Sequence, residues 1–318
     1  MEHKKTQAPA EANDNQYFIT TFYAFLPVLE RQAGKTLEQV KTEIEEIAKK
    51  LDLLGLLILG NEGFNSTLAA PNLENLNAWK NWIKSYFQCD NMLFKNSYSP
   101  KAPFRLFKVK IREEIVTLGT PELQPESAQN HHLSPEQWNE TLQNEDVLLI
   151  DTRNWYETKI GTFKGAINPG IDQFTEFPQW LEQQNYSKDK KMLIFCTGGI
   201  RCEKGILELQ RQGYDNVYQL EGGILRYIEE FPNNQFDGEC FVFDRRVAVT
   251  QELEPTTRYL LCPHCGQPSE IKITCKRCDS EVLICDQCVE KAGAKDTCSK
   301  HCNHQLQLHP GRKGPKQK

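Results

Sequence analysis

The sequence predicts an α/β chain in three successive parts, and three patterns carry that expectation. Residues 16–119 mix strand-like alternation with amphipathic helices in the order β-α-β-β-α-β. Residues 131–239 alternate short continuous apolar runs with helical stretches, the pattern of a doubly wound parallel sheet covered on both faces. Residues 240–302 crowd cysteines in close pairs. A polar, disordered tail (1–15), a linker (120–130, "TPELQPESAQN") and a basic tail (303–318) complete the plan.

In the first part, "YFITTFYAFL" alternates as a strand. "TLEQVKTEIEEIAKKLDL" (Thr36–Leu53) has helical periodicity, with Thr36 and Glu38 near its start. "GLLILGNEGFNSTLAA" reads as two strands around a turn holding Gly60, Asn61 and Gly63. "NLENLNAWKNWIKSYF" is a second amphipathic helix, and "FRLFKVKIREEIVTLG" closes the unit as a strand. This order suggests a ferredoxin-like, acylphosphatase-like sandwich. In the second part, "LSPEQWNETLQ" is a helix with Ser134 as N-cap and Pro135 first. "DVLLIDTRN", "MLIFC" and "NVYQLEGG" read as buried strands, while "PQWLEQQ", "GILELQRQG" and "ILRYIEEF" read as helices.

Bulk composition narrows the class. The chain has 318 residues and a net charge of -5, so no global basic field announces a nucleic-acid partner, and any such patch must be local. Its start, "MEHKKTQAPAEANDNQ", lacks the apolar core of a secretory signal, and no run approaches the roughly 18 apolar residues of a membrane span. The expectation is a soluble cytoplasmic protein with no membrane partner. In a reducing cytosol its 12 cysteines point to metal or thiol chemistry rather than disulfides.

"LIFCTGGIRCEKG" (Leu193–Gly205) is the most chemically loaded stretch. Cys196 follows an apolar strand, at the sheet end where ligands bind in doubly wound folds. Thr197, Gly198, Gly199 and Ile200 form a loop whose amides can point inward, and a helix starts near Ile200–Arg201. Amides, the positive helix end and Arg201 would together lower a thiol pKa and favour the nucleophilic thiolate. A core cysteine beside a glycine turn is the plainer alternative. Tyrosine-phosphatase-type loops are one residue longer, so this pocket suits sulfur, oxygen or a covalent base adduct better than a phosphoryl group. Cys202 is either a resolving thiol or a packed, inert one.

The motifs around this loop resemble the rhodanese family. "CTGGIRC" matches its active loop, "DTRNWYETKIGTFKGAINPG" (Asp151–Gly170) its upstream motif and "YQLEGGILRY" (Tyr218–Tyr227) its closing strand and Gly-Gly turn. The resemblance implies a central rhodanese domain with Cys196 as catalytic residue. Asp151 and Arg153 are either near the site or a buried ion pair. "GNEGFNSTLAAP", "KVKIREEIVTLG" and "GECFVFDRRVAV" look like further blocks of the bacterial tRNA uridine hydroxylases, over about residues 17–250. Phe64 and Ser66 depart from that family's motif without removing a catalytic group. The resemblance implies hydroxylation of the wobble uridine in the tRNA anticodon loop to 5-hydroxyuridine, with dioxygen as co-substrate. The Cys196 thiolate would add at carbon-6 of the base, with Arg201 and the loop amides stabilising the developing oxyanion. No flavin, haem or iron motif is visible. A persulfide sulfurtransferase and a non-catalytic RNA or protein adaptor are the alternatives.

One stretch supports RNA without the resemblance. Between Asn91 and Arg112 lie Lys95, Lys101, Arg105, Lys108, Lys110 and Arg112, interleaved with Phe94, Tyr98, Phe104 and Phe107. Alternation in "FKVKIR" puts Lys108, Lys110 and Arg112 on one face, a row that can follow phosphates. An ordinary solvated strand, with the aromatics in the core, is the other reading. At the far end, Cys262, Cys265, Cys275, Cys278, Cys285, Cys288, Cys298 and Cys302 form four pairs at knuckle spacing, enough for two structural zinc ions. Disulfides or a redox relay are the alternatives, and His264 or His301 could replace a thiol.

Overall fold

A computed structural model describes residues 16–125 and 131–316. The expected tail 1–15 and part of the 120–130 linker therefore lie outside the described residues. The chain folds as two compact units: one runs to Asp244 and includes Val249–Glu254, the other holds Arg245–Ala248 and Pro255 onward.

The first unit opens with β1 (Tyr17–Phe25), the single-turn α1 (Val28–Arg31), α2 (Leu37–Lys50), β2 (Leu54–Gly60), β3 (Gly63–Ala70), α3 (Leu73–Phe87), β4 (Lys95–Ser99) and β5 (Phe107–Ile111). Thr36 caps α2 through a reciprocal box with Gln39. Val40, Ile44 and Ala48 then recur every fourth residue and bury one stripe of that helix. The sheet order is β4-β1-β3-β2-β5. One face, with Phe18, Phe22, Leu57, Phe64 and Leu68, packs on α2 and α3. The alternate residues Thr21, Tyr23, Leu56, Ile58, Asn65 and Thr67 face the other way and line a cavity. The strand expected to close the βαββαβ unit is a different one. Lys95–Ser99, polar and short, pairs antiparallel with β1 and fills that place. "FKVKI" is an added fifth strand, parallel to β2.

The same unit continues with β6 (His132–Leu133), α4 (Pro135–Asn144), β7 (Leu148–Asp151), α5 (Trp155–Thr158), β8 (Gly161–Phe163), α6 (Phe177–Glu182), β9 (Met192–Phe195), α7 (Ile200–Arg211), β10 (Val217–Leu220) and α8 (Gly223–Glu230). The order β6-β10-β9-β7 is parallel throughout. Every residue of β9 is buried, because helices cover both faces. Ile150, Met192 and Ile194 pack toward α6 and α7, and Leu149, Leu193 and Phe195 toward α4 and α8.

In the second unit, Leu260–Leu261 pairs with Pro268–Ser269 and Ile271–Thr274 with Glu281–Ile284, both antiparallel. Two helices follow, α9 (Asp286–Val289) and α10 (Lys300–Leu308). Its buried clusters are built largely of cysteine. Among the described residues, no helix is long and apolar enough to cross a membrane.

Candidate active site

The loop after β9 wraps around the Cys196 sulfur. Gly199 sits at φ +100° as N-cap of α7, a conformation that side-chain-bearing residues seldom adopt, and its amide donates to Cys196 Sγ at 3.1 Å. The loop carbonyls are taken from behind. Ile224 N donates to Cys196 O at 3.0 Å and Leu225 N to Thr197 O at 3.1 Å, both from the first turn of α8. This seating needs Gly223, where an added Cβ would lie 2.6 Å from Cys196 O. The Gly-Gly turn thus holds the loop with its amides turned in.

Cys196 is 1% exposed yet lines the cavity. Burial pushes its thiol up. A hydrogen bond from the Cys202 thiol, the Arg201 charge and the Arg201 and Gly199 amides outweigh burial and bring it down to about 6. Cys202 moves the opposite way, well above a normal thiol, through burial and its neighbour's charge. Thr152 Oγ1 lies 3.6 Å from the Cys202 sulfur.

Arg201 acts on Cys196 through both its backbone amide and its charge. Its two terminal nitrogens each lie 2.7 Å from a carboxylate oxygen of Glu157, which is fully buried on α5. Two of its five N–H donors are thus committed to Glu157. Thr197 Oγ1 also approaches Glu157, at 3.4 Å. Asp151 and Arg153 form a wholly buried ion pair, Nη2 to Oδ2 2.7 Å, with Thr162 donating to the same carboxylate oxygen.

The amino-terminal sheet supplies the opposite wall. Thr21, Tyr23, Leu56, Ile58, Asn65 and Thr67 face Cys196, Thr197, Gly198, Ile200 and Arg201 across a cavity of about 550 Å³. Tyr23 Oη donates to Glu203 at 2.7 Å. Lys204 on α7 lies 2.8 Å from Glu62 and 2.6 Å from Glu114, all three buried. Phe243 lines the mouth, 60% exposed, with the Arg201 guanidinium 5.8 Å from its ring.

The cations expected to track RNA separate into groups. Arg112 lines this cavity, while Lys108 and Lys110 stand exposed on β5 opposite Leu56 and Ile58. Arg105 lines a different cleft with Tyr17 and Glu45. Lys101 follows β4, whose Ser99 pairs with Tyr17, at the end of β1 remote from Tyr23. Lys95 is not a surface cation: it is 4% exposed and reaches the loop. Phe107 and Phe94 pack against the core, and Phe104 lines the cavity. Sequence reasoning missed Tyr23, Glu203, Lys204, Glu62, Glu114 and Phe243.

In the second unit the eight cysteines gather as two groups, Cys262, Cys265, Cys285 and Cys288, and Cys275, Cys278, Cys298 and Cys302. Within each group all four sulfurs lie within 4.8 Å of one another, and none is disulfide-bonded. A tetrahedral ion with metal–sulfur bonds of ~2.3 Å sets its sulfurs ~3.8 Å apart, and Cys278–Cys298 is 3.5 Å and Cys265–Cys285 3.4 Å. Each group could hold a metal ion. Neither histidine joins them: His264 bonds Thr297 O at 2.7 Å, and His301 is exposed.

Known families match the chain along its length. An UPF0176 acylphosphatase like domain covers residues 17–115, a rhodanese-like domain 134–230 and a rhodanase C-terminal domain 237–303. A Bdellovibrio bacteriovorus protein named tRNA uridine(34) hydroxylase is 59% identical over 302 residues, 95% of this chain and 85% of that one. Proteins of the same name from Picosynechococcus sp. and Legionella pneumophila are 40% and 43% identical, over 86% and 74% of this chain and 90% and 91% of theirs. Identity carried across nearly the whole length makes this chain a member of the tRNA uridine(34) hydroxylase family.

Proposed function

We propose that this protein hydroxylates the wobble uridine of tRNA to 5-hydroxyuridine, with Cys196 as nucleophile and dioxygen as oxygen source. The observation that carries the reading is the Cys196 sulfur, bonded by the Gly199 amide and facing a cavity whose other wall is a second domain. An anticodon base is unpaired and can be splayed into such a pocket at low cost. Phe243, at the mouth, offers a face on which the base stacks. Arg112 at the cavity and Lys108 and Lys110 beyond it give the backbone a cationic track. Lys101 and Arg105 lie off that track and contribute through the wider field.

In the reaction, the thiolate adds at carbon-6, opening the 5,6 double bond and placing negative charge across carbon-5 and the 4-oxygen. The inward loop amides stabilise that charge. Carbon-5 takes one oxygen atom from dioxygen. The other leaves as water, with two electrons from an external two-electron reductant and two protons. Loss of the carbon-5 proton and of the thiolate then restores the double bond.

The test is nucleoside mass spectrometry of tRNA from cells lacking the protein, complemented with wild type or Cys196→Ala. Loss of 5-hydroxyuridine that the alanine protein does not restore is expected. Full restoration by Cys196→Ala would overturn the role of the thiol. Lost thionucleosides with intact 5-hydroxyuridine would instead mark a persulfide carried by Cys196, chemistry for which a depressed thiol is equally suited. We propose further that the two four-cysteine groups hold structural zinc, and that a tRNA substrate keeps the protein in the cytoplasm.

A further inference from the structure

We propose that Lys95 adds, beside Arg201, a second positive charge that sustains the Cys196 thiolate, so that the catalytic loop of one domain is completed by a buried cation from the other. The inference rests on Cys196 being the working thiol and asks where its counter-charge comes from. Arg201 contributes part of it, but Glu157 takes both of its terminal nitrogens at 2.7 Å and offsets its charge. Arg153 is closed on Asp151, and Lys204 on Glu62 and Glu114. Arg226 is held by Glu221 and Glu230.

Lys95 differs from all of these. It starts β4, opposite Thr21, and is 4% exposed. Its ammonium donates to the Gly198 carbonyl at 3.1 Å and stands 4.7 Å from the centre of the Tyr23 ring. A cation buried without a carboxylate in hydrogen-bond contact is costly unless another anion lies near. The anionic groups facing it are Cys196 and Glu203, and Glu203 is shared between Tyr23 at 2.7 Å and His132 at 3.1 Å. Arg226 acts on it with like charge. Burial pulls the Lys95 ammonium down to about 8, against the pull of Cys196 and Glu203. It is therefore mostly charged at neutral pH. Lys95 acts through Cys196, so it is a positioning residue.

The experiment follows the pH dependence of Cys196 alkylation by iodoacetamide in the full chain, resolved by peptide mass spectrometry, for wild type, Lys95→Gln and Lys95→Arg. No tRNA is present, so the readout is independent of hydroxylation. Lys95→Gln should raise the apparent Cys196 pKa by about one unit and cut alkylation near pH 6 about fivefold. Lys95→Arg should keep the wild-type midpoint. An unchanged midpoint in folded Lys95→Gln overturns the inference, and so does an equal shift in both variants, which would mean lost packing rather than lost charge. If Lys95→Gln does not fold, Lys95→Arg decides: a wild-type midpoint supports a role for charge, and a raised one overturns it. Intact hydroxylation in Cys196→Ala would instead remove the functional reading while leaving this electrostatic result standing.

Discussion

At Glu157 a single carboxylate decides what Arg201 can do. The pair is buried on both sides, with side-chain exposures of 9% and 0%, so it is screened little by water. Glu157→Gln leaves the guanidinium buried beside a neutral amide. Breaking such a pair costs about 3–5 kcal/mol, which denaturant unfolding should read as a lower midpoint. The same change frees the Arg201 charge, so the Cys196 thiol should titrate below its present value of about 6. A variant as stable as wild type, or a thiol that moves up, would contradict this reading of the pair. Phe243 makes a second prediction at this scale. Its ring packs edge-on against Phe241, lies near the Arg201 guanidinium and is 60% exposed. Phe243→Ala should weaken tRNA binding by about 1–3 kcal/mol, the worth of one stacked base, raising KM with little change in kcat. An unchanged KM would remove the stacking role.

Among the elements, those whose determinants are contiguous were legible in the sequence. The strand, the glycines and the helix around Cys196 follow one another from Leu193 to Gly205, and Thr36 and Ser134 cap their helices within four residues. What joins distant segments was not. Lys95 meets Gly198 across 103 positions and Arg201 meets Glu157 across 44, and no local pattern marks either pairing. β4 escaped notice because "KNSYS" is polar and short, and pairing with β1 makes it a strand where its own propensity does not. Cysteine spacing gave the pairs but not their partners. The first pair joins the third and the second joins the fourth, so each group's ligands are interleaved with the other's. Cys275 and Cys278 lie in the chain between Cys265 and Cys285, and freeing them loosens the segment that closes the first group. A Cys275→Ser protein should therefore lose more than one of two metal ions by elemental analysis. A clean drop from two ions to one would show the groups to be independent.

Across the first unit, the two sheets meet over the active loop, and charges buried at that meeting hold α7 in place. Lys204 lies between Glu62, in the β2–β3 turn, and Glu114, just after β5. Glu62 also accepts from Ile115 N at 2.6 Å, and Glu114 from Leu118 N and Gly119 N at 3.1 and 3.0 Å. Two carboxylates sharing one ammonium leave net negative charge indoors, which those amides offset. For Glu114, burial raises the carboxyl pKa, but Lys204 and the two amides more than reverse it, and the folded value lies below 4.5. A carboxyl lowered on folding contributes stability that is complete above its unfolded value and is lost as pH falls through the folded one. Glu203 is lowered in the same way by His132 and Tyr23, against burial. The Glu114 contribution should therefore weaken only as pH falls below about 4.5. Lys204→Met removes the shared cation and should cost about 3–5 kcal/mol at pH 7. Replacing Glu62 and Glu114 by Gln in the same chain should recover much of that loss, because the penalty is the stranded charge rather than the missing contact. The Cys196 alkylation midpoint supplies the functional side of the same test. If Lys204 pins α7 against the amino-terminal sheet, Lys204→Met displaces the Gly199 and Arg201 amides from the sulfur, and the thiol rises toward its ordinary value. A midpoint that stays near 6 in a destabilised Lys204→Met protein would mean that the Gly-Gly turn of α8 alone is enough to seat the loop.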